Sequence, residues 1–193
     1  MKVGALFSAG LLLMLAAALP ALAADQKKEA AKQLAGYNGI LVEKFAVDNN
    51  PATEDFPKGL ETMMQSRAVQ KLREKKIFDE VVDGAEPTAA DPGVAKAPGA
   101  EPPRWLILSA TVLTFDKGSR AARYWGGFGA GATRIKVRFV LRDEKTGAEI
   151  LRFDHQGSFK GMFSTFGGSQ EEAFGKAASG VVNGMTTELE KNR

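Results

Sequence analysis

Apolar residues recur along this chain with two periods, and the alternation between them predicts the order of its elements. Tyr37–Val47 carries Ile40, Leu41, Val42, Phe45 and Val47, a first strand that Asp48-Asn49-Asn50-Pro51 should end. A helix is expected from near Asp55, with Pro57 in its first turn, to near Lys76. Leu60, Met64, Ala68 and Leu72, flanked by Met63 and Val69, form its apolar stripe; Glu61, Gln65, Arg67, Lys71 and Glu74 form the polar face. Ile77–Val82 reads as a second, short strand.

Trp105–Phe115 is apolar on both faces. Leu106, Leu108, Ala110 and Val112 point one way, and Trp105, Ile107, Leu113 and Phe115 the other, which places this strand in the middle of a sheet. Arg134–Asp143 alternates cleanly, Ile135, Val137, Phe139 and Leu141 against Arg134, Lys136, Arg138 and Arg142. Glu149–Phe159 alternates as well, and Asp143-Glu144-Lys145-Thr146-Gly147 between them is turn chemistry. Opposite charges favour a hairpin register that sets Leu141 against Leu151, Phe139 against Phe153 and Arg138 against Asp154. Sliding by one pair would oppose Arg138 to Arg152. Lys145-Thr146-Gly147 is then a three-residue connection, with Gly147 left-handed.

A last helix should follow Ser169, with Glu172 completing a capping box and Phe174, Ala178, Val181, Met185 and Leu189 as its buried stripe. Gly175, Gly180 and Gly184 each weaken it by up to ~1 kcal/mol relative to alanine. Only close packing against the sheet can offset that. These elements predict one α+β domain over 37–193, with two helices on a mainly antiparallel sheet of about five strands. The expected order is β-α-β-β-β-β-α.

The flanks differ in composition. Lys2, the apolar run Ala5–Leu19 and Pro20-Ala21-Leu22-Ala23 have the layout of a secretory signal peptide over 1–23, cleaved after Ala23. Residues 24–36 are polar and alanine-rich, a frayed or disordered lead-in. Residues 84–104, punctuated by Pro87, Pro92, Pro98, Pro102 and Pro103, read as a mobile insertion within the domain. The expected location is therefore the periplasm. The chain has no cysteine, which excludes disulfides, thiolate chemistry and a lipid-bearing cysteine. Its formal charge of +3 is too small to imply nucleic acid.

Candidate chemistry is sparse. His155 is the only histidine and has no serine or carboxylate cluster beside it, so neither a catalytic triad nor a metal site can be assembled. Gly127–Ala132 satisfies G-x-G-x-x-A, but a strand pattern follows where nucleotide binding requires a helix. No cofactor is expected, and no enzymatic activity. The distinctive stretch is Lys117–Thr133, where Tyr124, Trp125 and Phe128 stand among glycines beside Arg120 and Arg123. Gly157–Gly168 repeats the theme with Phe163 and Phe166. Glycine-flanked aromatics outside strand periodicity predict an interaction surface of Arg120, Arg123, Tyr124, Trp125, Phe128, Phe163 and Phe166. Its partner would be another envelope protein or a second copy of the chain. Peripheral membrane contact has no support in the sequence. The alternative is a module binding a small ligand or envelope polymer.

Several of these residues also carry a resemblance. Ile77-Phe78, Gly118-Ser119-Arg120 to Arg123, Gly127-Phe128-Gly129-Ala130-Gly131, the strand to Asp143, Thr146-Gly147 and Phe166-Gly167-Gly168 occur in this order. The chain resembles the domain-of-unknown-function 4410 family of exported bacterial proteins, over about Asn38–Leu189 apart from the proline-rich insertion. The resemblance implies an exported α+β domain and no particular activity. Many relatives look like lipoproteins, from which this chain departs by lacking the cysteine. More distantly, the layout looks like the periplasmic part of curli-secretion channel lipoproteins, a likeness of fold only.

Overall fold

The structure is a computed structural model that describes residues 34–85, 103–118, 131–159 and 170–193. The signal-peptide and most of the lead-in expectations, and the proline-rich core of the insertion at 86–102, lie outside these residues. Leu34, assigned by sequence to the lead-in, is fully buried in the core.

Among the described residues, six strands form one sheet: β1 (Gly39–Val42), β2 (Ala46–Val47), β3 (Glu80–Asp83), β4 (Trp105–Asp116), β5 (Thr133–Asp143) and β6 (Glu149–Phe159). The spatial order is β3-β1-β4-β5-β6, with β2 pairing β4 beyond the end of β1. Helices α1 (Leu60–Lys75) and α2 (Gln170–Lys191) pack on it, giving the α+β domain that the patterning predicts. The two long ladders, β4–β5 and β5–β6, are antiparallel. The short ones of β1 with β3 and β4, and of β2 with β4, are parallel, so the sheet is mixed.

The expected first strand is split. Its charged middle, Glu43-Lys44, interrupts the ladder, and Gln65 on α1 reaches into the break to accept a hydrogen bond from the Phe45 N–H at 3.4 Å. Gln65 also donates to Asp83 at 2.5 Å and is buried, although the helical period puts it on the polar face. Before α1 the chain makes a 3-10 turn, Pro51–Thr53, capped by Asn50, and the helix starts later than Pro57 suggests.

β4 lies in the middle of the sheet, and Leu106, Leu108, Ala110 and Val112 face the helices. Phe115 joins them, contrary to strict alternation. A bulge between Val112 and Thr114 inserts Leu113 and turns the following residues over. Phe115 then meets Phe56 and Phe174 edge to face, with ring centroids 5.5 and 5.1 Å away.

The hairpin has the expected register along its body, with Leu141 opposite Leu151, Phe139 opposite Phe153 and Arg138 opposite Asp154. Gly147 is left-handed at φ 69°. The register slips at the turn, where Arg142 pairs with Glu149, and Asp143 N–H donates to Ala148 O at 2.9 Å. The connection is therefore one residue longer than expected. α2 lies against β6 as its glycines require: a Cβ on Gly184 would stand 1.8 Å from the His155 ring, and one on Gly157 would stand 2.0 Å from the Ala177 carbonyl oxygen.

Candidate interaction surface

Arg120, Arg123, Tyr124, Trp125, Phe128, Phe163 and Phe166, the surface that the sequence predicts, all lie outside the described residues. The structure does define the points where their two segments leave and rejoin the fold. β4 ends at Asp116 opposite Arg134, and Thr133 at the start of β5 lies opposite Phe159 at the end of β6. Segments 119–130 and 160–169 are thus anchored on neighbouring positions at one end of the sheet.

The anchor of the first segment is a closed neck. Asp116 accepts from Gly118 N–H at 2.8 Å in an Asx turn, and pairs with Arg134 at 3.0 Å. Buried Thr133 donates its hydroxyl to the Lys117 carbonyl at 3.0 Å, which ties the outgoing chain to the incoming one. Lys117 meets Asp55 at 2.7 Å. Gly118 and Gly131 have φ of 69° and 73°, and a Cβ on Gly118 would stand 2.3 Å from the Gly131 oxygen. Sequence reading missed Asp116, Thr133 and Asp55 as parts of this neck. Asp116-Lys117-Gly118 carried the one local signal, an Asx turn; the Lys117–Asp55 pair spans 62 positions and left none.

At the opposite end a second polar cluster fixes the β5–β6 turn. Tyr37 OH donates to Asp143 Oδ2 at 2.6 Å, and Arg104 reaches the same oxygen at 3.2 Å while lying 4.2 Å over the Tyr37 ring. Thr146 donates through its N–H and hydroxyl to Asp143 Oδ1, at 2.8 and 2.9 Å. The Tyr37 hydroxyl and the Thr146 N–H hold the Asp143 carboxyl well below the usual carboxylate range. Burial, then the bond to Asp143, pushes the Tyr37 phenol up to about 12. The Asp-x-x-Thr-Gly order singled out in the sequence is therefore a turn-holding device.

The basic strand face is paired rather than free. Asp154 takes Lys136 at 3.1 Å and Arg138 at 2.9 Å, and Arg142 donates to Ser109 at 3.3 Å. Arg138, first of all, lowers the Asp154 carboxyl. Gly131 and Ala132, the end of the G-x-G-x-x-A match, run directly into β5, so no helix N-terminus is there to receive a pyrophosphate. Among the described residues, no group of three or more histidine, cysteine or acidic side chains is placed to hold a metal ion. Among them too, no helix is long and apolar enough to cross a membrane.

This mixed sheet covered by two helices, with both aromatic–glycine connections anchored at one end, defines a class of small α+β domain. The chain belongs to the family described as domain of unknown function (DUF4410), whose model matches residues 20–160. A comparison with curated proteins found no match. Among solved structures it is similar to the PelC dodecamer from Paraburkholderia phytofirmans at 17% identity and a TM-score of 0.46, covering 79% of this chain and 87% of that one. It is similar to protein XCC0632 from Xanthomonas campestris, of family DUF330, at 9% identity and 0.49, covering 79% and 82%. A third is lipoprotein GNA1162 from Neisseria meningitidis, at 18% and 0.39, covering 77% and 98%.

Proposed function

We propose that this chain is an exported, non-enzymatic component of the cell envelope that works by contact with another protein or with copies of itself. The contact surface is Arg120, Arg123, Tyr124, Trp125, Phe128, Phe163 and Phe166. The observation that carries this reading is the convergence of both segments on one end of the sheet, where Thr133 lies opposite Phe159. Two aromatic-bearing connections that leave the sheet from neighbouring positions can act as one patch, and aromatic anchors commonly carry much of the energy of a protein interface. The closed neck supports it, because it fixes where the first connection leaves and rejoins the sheet.

Crosslinking with mass spectrometry on intact cell envelopes tests the proposal. A dominant crosslink from the chain to one other protein, or to itself, is expected. Crosslinks spread without preference, together with a thermal shift produced by soluble envelope glycan fragments, would replace it with the polymer-binding alternative.

A further inference from the structure

The two edges of the sheet are finished differently. At the β3 edge, Asn38 O and Val42 O accept from Glu80 N–H and Gly84 N–H, so these residues turn their peptide groups toward β1 and Val81 turns its own outward. The Arg73 guanidinium covers that outward carbonyl with two hydrogen bonds, at 3.2 and 3.0 Å. This edge is also only four residues long. It is closed by the ordinary devices that keep an edge from pairing.

Among the described residues, neither a short length nor a capping side chain closes β6. It runs for 11 residues without proline, and its register with β5 is unbroken from Leu151 to Phe159. Glu144 N–H donates to Trp105 O, so even-numbered residues of β5 face β4 and odd-numbered ones face β6. Because Phe139 lies opposite Phe153, the odd residues of β6 bond to β5 while Arg152, Asp154, Gln156 and Ser158 turn their N–H and C=O groups outward. No hydrogen bond from a described residue reaches the outward groups of Arg152, Asp154 or Gln156. The residues of α2 that meet this strand include Gly180 and Gly184, which project no side chain over it.

We propose that β6 pairs antiparallel with β6 of a second copy of this chain, making one continuous sheet across a two-fold axis. The charges of the strand select that occupant and its register. With Phe153 opposite its own counterpart, Arg152 of each copy lies opposite Asp154 of the other, and both members of each pair have outward-facing backbone groups. Sliding by one pair either way brings Asp154 opposite Asp154 or Arg152 opposite Arg152, and directly opposed like charges disfavour pairing. Arg152 is half exposed at 51%, and among the described residues its salt bridge is to the local, exposed Glu149, an exchange partner for a charge across the seam. This contact uses no residue of 119–130 or 160–169, and it can fail or hold independently of the surface proposed above.

Sedimentation of the purified chain over a range of concentrations, with three further chains, tests the pairing. The wild type should dimerise reversibly. Gln156→Pro removes one outward N–H without touching the β5 ladder and should weaken dimerisation at least tenfold. Arg152→Asp should weaken it as well, and because Arg152 lies opposite Val140 and, among the described residues, holds no ion pair with β5, this variant keeps the test decisive if the proline variant fails to fold. Since the chain has no cysteine of its own, register is read by mixing Arg152→Cys with Asp154→Cys chains. Oxidation should crosslink the two variants to each other in preference to themselves. A wild type monomeric at every concentration overturns the proposal, as does a dimer indifferent to these changes. A dimer lost in Trp125→Ala but kept in Gln156→Pro assigns the contact to the aromatic segments: this proposal then fails and the earlier one stands.

Discussion

Gly157 on β6 and Ala177 on α2 meet with no room for a side chain, since a methyl on Gly157 would stand 2.0 Å from the Ala177 carbonyl oxygen and 2.7 Å from the Val181 nitrogen. Both obstacles are backbone and cannot swing aside. Gly157→Ala should therefore cost at least the upper end of the roughly 1–3 kcal/mol typical of overpacking. Gly175 lies in the same helix with nothing within 4 Å of its would-be Cβ. Gly175→Ala should stabilise by about 0.5–1 kcal/mol through helix propensity. Thermal unfolding of the two variants side by side reads both signs, at about 2–4 °C per kcal/mol for a chain of this size.

The neck permits a matched comparison. Gly118 and Gly147 both have φ of 69°, so alanine pays the same conformational penalty at each. Only Gly118 also faces backbone, at 2.3 Å from the Gly131 oxygen, while Gly147 has nothing within 4 Å. Gly147→Ala should cost about 1 kcal/mol, and Gly118→Ala clearly more, measured by chemical denaturation. Equal losses would mean that the neck is not closed.

Asp143 gives the fold a pH dependence of known sign. Its carboxyl is held below the usual range, so the folded state favours the ionised form. That stabilisation is complete above the unfolded value near ~3.9 and fades as pH falls below it. Asp143→Asn should be less stable than the wild type at neutral pH, by about 1–3 kcal/mol for a buried group losing its charged hydrogen bonds, and the gap should narrow below about pH 4. Tyr37 behaves in the opposite direction. Its phenol is raised to about 12, so its contribution is intact below the unfolded value and lost as pH climbs through about 12. Tyr37→Phe should lack that alkaline loss. Melting temperature against pH for the three chains checks both ends.

The parts of the fold legible in the sequence are those fixed by neighbours along the chain or by a single period. The hairpin register followed from Arg138 and Asp154 and from Gly147, since a slip of one pair would oppose like charges. The close approach of α2 followed from glycines that nothing but packing could offset. The misplaced residues answer to contacts that no period encodes. Phe115 changes face because Leu113 is accommodated as a bulge. Gln65 is buried because a strand break across the sheet needs its carbonyl oxygen. Of the proposed interaction surface, the sequence singles out the aromatic and arginine residues; the structure adds the neck and the shared end of the sheet, which depend on Asp55, Asp116 and Thr133 meeting across the fold.

We propose that the aromatics of 119–130 serve contact rather than core, a claim that one paired measurement on Trp125→Ala and Phe128→Ala tests most directly. For each variant, thermal unfolding of the purified chain is compared with its yield of the dominant crosslink in cell envelopes. Cooperative unfolding at close to the wild-type temperature is expected in each, together with a loss of most of that crosslink. Loss of cooperative unfolding in either variant would place that residue in the core and contradict the claim, and an undiminished crosslink in both would contradict it equally.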